Sequence, residues 1–129
     1  MSLGSSPGDA PAIVPNALQS VIEMVGGDEP EIIVELIDTY LEDSSNQVAQ
    51  MTPMLAAGDW VTLRRIAHSM KSSSATFGAM VLSKLCETLE HNAKDGGIHG
   101  DAVAQVSSVE REHVRVLEAL RGERTKYVE

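Results

Sequence analysis

One cysteine, one Trp, two Tyr, one Phe and no basic residue before position 64 are the scarcities of this 129-residue chain. Each excludes something. The lone Cys86 rules out an intramolecular disulfide. It stands in the apolar pattern Leu82, Leu85, Cys86, Leu89, which reads as a buried, reduced thiol. With 43% hydrophobic residues but 3% aromatics, the core is aliphatic, which favours packed helices over a β sandwich. No apolar run approaches the roughly 20 residues of a membrane span. Nucleic acid needs a broad basic footprint, and a net charge of −9 does not supply one. Anionic membrane surfaces are disfavoured for the same reason. The N-terminus has neither a cationic start nor the apolar stretch of a signal peptide, so a cytoplasmic location is expected.

What is present is organised as helices. Residues 1–12 are rich in Gly, Ser, Pro and Ala and read as a disordered tail, with Met1-Ser2-Leu3 as a vector leader ahead of an excised domain. A short helix is expected from about Pro15 to Val25, stopped by Gly26-Gly27. Asp28 and Glu31 are spaced as a capping box for a second helix, with Pro30 in its first turn. That helix presents Ile33, Leu36, Ile37, Tyr40, Gln47, Val48, Met51 and Leu55 on one face and acids on the other, with a kink or break expected near Thr52 because of Pro53. Ala57-Gly58 closes it, and Asp59 caps a third helix running to about Phe77. A fourth is expected from about Ala79 to Lys94. Asp101 caps a fifth, with Val103, Val106, Val109, His113, Val116, Leu117 and Leu120 at helical spacing and Gly122 at its end. No strand run and no internal repeat is visible. Short loops make neighbours antiparallel, so the expected fold is all-α: an up-down four-helix bundle over residues 13–124 with an additional short N-terminal helix, and a tail at 125–129.

The third helix carries the chemistry. At about 100° per residue, Leu63, Ile66, Met70 and Phe77 share one face and His68 falls on the opposite one. Val61, Arg64, Arg65, Lys71, Ser72 and Ala75 surround it. Residues 1–63 hold acids but no Lys or Arg, and the first cations of the chain, Arg64, Arg65 and Lys71, all flank His68. Imidazole is a nitrogen nucleophile, mostly neutral at pH 7. A phosphoryl group on such a ring needs a nearby cation, which Lys71 offers, and an open approach, which Ser72 and Ala75 keep low. His91 and His99 read as surface and loop residues and His113 as a core-edge residue. No histidines stand at a metal-ligand spacing, so no metal site is expected. No Gly-rich phosphate loop is present, and no Ser/His/Asp constellation argues for a hydrolase.

The run His68-x-x-Lys71-Ser72-Ser73-Ser74-x-x-Phe77-Gly78-Ala79 resembles the signature of histidine-containing phosphotransfer (HPt) domains. Ala57-Gly58-Asp59-Trp60 resembles the family's lead-in, and Leu85-Cys86-Glu87-Thr88-Leu89-Glu90 its following helix. The resemblance implies a phosphorelay carrier that takes a phosphoryl group from the aspartyl phosphate of one receiver domain and passes it to another. His68 would be phosphorylated through Nε2 and Lys71 would neutralise the phosphoryl oxygens. Ser73 and Ser74 would be the family's small positions and Gly78 its turn. Two positions depart. Ser72 stands where Gly is usual. Glu90 stands where several members have a Gln; an acid there can accept a hydrogen bond from the imidazole but repels a phosphate. No ATP-dependent kinase activity is implied, and magnesium belongs to the partner receiver only. A monomer is implied. Leu18, Val21 and Ile22 of the first helix are either plain core or part of the receiver-docking surface. Two other readings stand beside the carrier: a docking module that has lost transfer, of which Ser72 and Glu90 would be the signs, and an unrelated structural bundle.

Overall fold

A computed structural model describes residues 10–25 and 29–128. Its helices are α1 (Gln19–Met24), α2 (Pro30–Ala57), α3 (Trp60–Thr76), α4 (Met80–Asn92) and α5 (Ala102–Arg124). The last four close a ring, with α2 against α3, α3 against α4, α4 against α5, and α5 back against α2. Ile37, Met51, Leu63, Met70, Leu82, Leu89, Val109, Val116 and Leu120 fill the middle, essentially without exposure. Each such side chain contributes about 1.5–3 kcal/mol relative to leaving it in water. Burial holds the Cys86 thiol up at about 12, which keeps it an inert core group.

The expected reversal between α2 and α3 is present. Gly58 takes the left-handed conformation, with φ +68°, that ends helices without steric cost, and Asp59 accepts the Thr62 amide at 3.1 Å to start the next one. Asp101 does the same for α5, accepting from Ala104 N at 3.2 Å. The expected stop at Gly26-Gly27 and the cap at Asp28 lie outside the described residues. The tail at 1–9 and the terminal Glu129 lie there too.

Several boundaries differ from expectation. The break near Thr52 is absent: α2 runs through Pro53, whose one missing amide is outweighed by the packing of Met51, Met54 and Leu55 on the core. The first helix is shorter than 15–25, with turns over residues 15–18 before Gln19. Packing begins inside the stretch read as tail, because Ala12 is buried and the Ala10 carbonyl accepts from Arg115. At the other end, Tyr127 packs on the core. Helix α5 does not stop at Gly122; Arg124 grips Asp38 of α2 with two hydrogen bonds, at 2.7 and 3.0 Å, and so holds the last turn in place. Val103, placed on the apolar stripe, is exposed instead. Helix α4 ends at Asn92, and a strand pair follows where none was expected. In it β1 (Ala93–Lys94) and β2 (Gly97–Ile98) are joined by Asp95 and Gly96, both at positive φ, the conformations a two-residue hairpin turn requires.

Gly78 fixes how the N-terminal segment lies on the bundle. Its φ is +76°, its carbonyl accepts from Val14 N at 2.9 Å, and a Cβ built on it would sit 2.5 Å from the Ala17 Cβ. Glycine therefore serves both the turn from α3 into α4 and the close passage of residues 14–17 across it.

Candidate functional site

Helix α3 buries Leu63, Ala67, Met70 and Ser74 and thereby turns His68 outward, with 63% of its side chain exposed. Glu90 on α4 lies below it, with only 16% of its side chain exposed. One carboxylate oxygen meets His68 Nδ1 at 2.7 Å and the other meets Lys71 Nζ at 2.8 Å. Burial works against the charged form of Glu90, but hydrogen bonds from Lys71 and His68, together with their charges, outweigh it and hold its pKa below the usual carboxylate range. The same bond raises the pKa of Lys71.

The geometry fixes the histidine tautomer. An ionised carboxylate only accepts hydrogen bonds. Nδ1 must therefore carry the proton it donates to Glu90, and the lone pair of the neutral ring is left on Nε2, the nitrogen that Glu90 does not touch. Helices α3 and α4 are held in this register partly by Ser83, whose hydroxyl donates to the Lys71 carbonyl at 2.8 Å.

Around the ring, Arg64 and Arg65 join Trp60, Val61, His68 and Glu90 in lining a cleft of about 370 Å³. Both arginines are exposed. Ser72 is exposed one turn beyond His68, and Ala75 beside it is half-buried, so the surface there stays low. On the other flank, Gln47 donates to Ser69 at 3.1 Å. The remaining motif serines turn away from the ring. Ser73 back-bonds to the Met70 carbonyl at 3.4 Å, and Ser74 is buried, sharing a 2.8 Å hydrogen bond with Tyr40.

The structure thus brings His68, Lys71, Arg64, Arg65 and Glu90 together. The first-helix residues are not part of this surface. Leu18 and Val21 are 3% and 1% exposed and belong to the core, and Ile22 is half-buried. Leu18 and Val21 face inward because the bundle covers the apolar side of this segment. Trp60 went unsingled in the sequence beyond its place in the lead-in; its position at the start of α3, two turns before His68, was the available signal. His91 and His99 lie at the surface, and His99 Nε2 donates to the Lys94 carbonyl at 2.9 Å. Among the described residues no cluster of His, Cys, Asp and Glu is arranged to hold a metal ion, and no helix is long and apolar enough to cross a membrane.

A helical bundle that displays a histidine with a cation and a carboxylate at its side has the makings of a phosphotransfer scaffold. The sequence model of the Hpt domain matches residues 35–123, and the chain belongs to that family. The solved structure of histidine-containing phosphotransfer protein B (HptB) from Pseudomonas aeruginosa PAO1 superposes with a TM-score of 0.80 at 32% identity, over 92% of this chain and 98% of that one. The phosphorelay protein LuxU of Vibrio vulnificus is 27% identical over 96 residues, 74% of this chain and 81% of its own length. Multistep phosphorelay regulator 1 of Schizosaccharomyces pombe is 28% identical over 76 residues; these are 59% of this chain but only 26% of that longer protein.

Proposed function

We propose that this chain is a phosphorelay carrier in two-component signalling and that His68 Nε2 is the atom that carries the phosphoryl group. The observation that carries this reading is the pairing of an exposed ring with a fixed tautomer: Glu90 occupies Nδ1, and Nε2 keeps its lone pair. In the forward step that lone pair attacks the phosphorus of an aspartyl phosphate on a receiver domain. The P–O bond to the carboxylate breaks, its electrons stay on the aspartate, and the group leaves again to a second receiver by the same path reversed. The transferring group needs positioning and charge neutralisation more than covalent help. Lys71, Arg64 and Arg65 supply the cations. Magnesium is supplied on the receiver, and the carrier itself has no ATP-dependent kinase activity.

The receiver docks over the surface that surrounds the ring, with Trp60 and Val61 as its apolar part and the arginines as its rim. Ser72 lies within that surface and is small enough to be covered. The carrier works as a monomer in the cytoplasm. Transfer through that Nε2 is what would distinguish it from a docking module that has lost transfer.

A panel of radiolabelled phosphorylated receivers, mixed with the protein and with its His68→Gln variant, tests the reading. Acid-labile, base-stable label on the unmodified chain alone is the expected result. Receiver binding without any label would establish the silent docking module instead, and label retained by the variant would move the site elsewhere.

A further inference from the structure

Forming an N–P bond at Nε2 leaves the imidazole positively charged unless the proton on Nδ1 departs. That proton points at Glu90, 2.7 Å away, and the carboxylate is held from its other side by Lys71 at 2.8 Å. A carboxylate stabilises a protonated ring more strongly than the amide oxygen of a Gln does, because the hydrogen bond is charge-assisted on both sides. Resting on the carrier reading above, we propose that phosphorylated His68 keeps its Nδ1 proton as a phosphoimidazolium paired with Glu90, and that this makes the chain a fast, short-lived phosphoryl donor and not a phosphoryl store.

The bond changes balance without any proton moving within the carrier. On loading, the Nε2 lone pair forms the bond to phosphorus and the ring gains one positive charge facing the Glu90 carboxylate. On transfer, the receiver's aspartate oxygen attacks phosphorus and the N–P electrons return to Nε2. The leaving group is then neutral imidazole, still protonated on Nδ1. Had the proton been lost, the leaving group would be an imidazolate, far more basic and far slower to depart in a loose phosphoryl-transfer transition state. Water gains from the same leaving group, so lability comes with speed. Glu90 also repels the phosphoryl oxygens, which adds to the drive for transfer.

The other charged groups near the ring pull both ways. Arg64, Arg65 and Lys71 on α3 disfavour a second positive charge. On α4 and the following strand, Glu87, His91 and Lys94 border the far side of the Lys71–Glu90 pair, and Asp43 of α2 lines the groove beside Ser69. Of these groups only Glu90 is bonded to the ring nitrogen.

Phosphoramidate, a small phosphoryl donor, loads the histidine without any receiver. The protein and its Glu90→Gln variant, both with 15N-labelled histidine, are loaded this way and followed from about pH 6 to 9, spanning the imidazole range. The protonated Nδ1 signal of phosphorylated His68 should persist about one pH unit higher in the unmodified protein, and at the alkaline end its phosphoryl group should be lost roughly tenfold faster than from the variant. Coincident titration and decay curves, with the phosphoryl group on residue 68 in both proteins, would overturn this inference and leave the carrier reading intact. No phosphoryl group on residue 68 in either would overturn both. Lys71→Met leaves Glu90 on the ring and should keep the high-pH Nδ1 proton; its disappearance there would assign the effect to Lys71 and overturn the role given to Glu90.

Discussion

His68 and His113 each have one ring nitrogen held by a single partner at nearly the same distance, 2.7 Å to Glu90 and 2.8 Å to Ser44, yet the two rings serve opposite ends. His68 stands on the outer face of α3 and its partner is a charged carboxylate, so the bond fixes a tautomer and leaves the other nitrogen open. His113 is 4% exposed on α5, and its partner is a neutral hydroxyl on α2. Its bond satisfies polar groups inside the bundle. Beside it, Tyr40 and Ser74 share another buried hydrogen bond, between α2 and α3. The contrast teaches that a histidine's role here is set by the charge of its partner and by access to the second nitrogen, more than by being hydrogen-bonded at all.

Exchanging the damage between the two rings gives the largest effect. His68→Gln should abolish phosphoryl uptake while the melting temperature stays put, since the side chain packs little. His113→Ala should leave uptake on the folded protein while costing about 2–3 kcal/mol, from the cavity and the loss of the 2.8 Å hydrogen bond to Ser44. Label incorporation and thermal unfolding, measured on both variants, check the pair. If His113→Ala lost uptake at a temperature where it is still folded, the separation of the two regions would fail.

Gly78→Ala sharpens the same division from a third place. A Cβ there would meet Ala17 at 2.5 Å with φ at +76°, so a loss of about 2–3 kcal/mol is expected from strain and overpacking together. Urea unfolding should show it as a lower midpoint at unchanged slope. Lys71→Ala acts on the exposed side alone. Transfer should slow roughly tenfold, the scale of one lost electrostatic contact to the moving group, with hardly any change in melting temperature. Quench-flow transfer from a labelled receiver measures it; an unchanged rate would remove Lys71 from the charge-neutralising set.

Much of the exposed region was legible in the sequence, and the reasons are physical. Helical periodicity put His68 opposite Leu63, Ile66 and Met70, and the absence of cations before Arg64 marked its surroundings. The caps at Asp59 and Asp101 are local interactions across three residues, so local sequence suffices to read them. The double grip of Glu90 on His68 and Lys71 was visible only as an unusual residue, because it depends on how α3 packs on α4. Leu18 and Val21 show the limit from the other side: periodicity says that a face is apolar, but not which neighbour covers it. The hairpin at Ala93–Ile98 has strands of two residues, too short to carry a period. That Gly78 must be glycine is legible as a turn, but its close contact with Ala17 belongs to tertiary packing.

The smallest effect separates the rings by pH. Burial, and then the charge of Arg121, hold the pKa of His113 below its ordinary value of 6.5. The folded chain therefore binds the His113 proton less readily than the unfolded chain does. The stability this gives is fully present above the ordinary histidine value and is lost as pH falls through the lowered one. Between those limits the slope from this one group is at most about 1.4 kcal/mol per pH unit. Chemical unfolding from pH 7 down to about pH 5 should show the decline, and His113→Gln, which keeps a partner for Ser44 but does not titrate, should show less of it. Carboxylates contribute equally to both proteins, so the difference between the two curves isolates the ring. Parallel curves would mean that His113 takes up its proton in the folded chain as readily as in the unfolded one, and burial would then not set the two rings apart by pH.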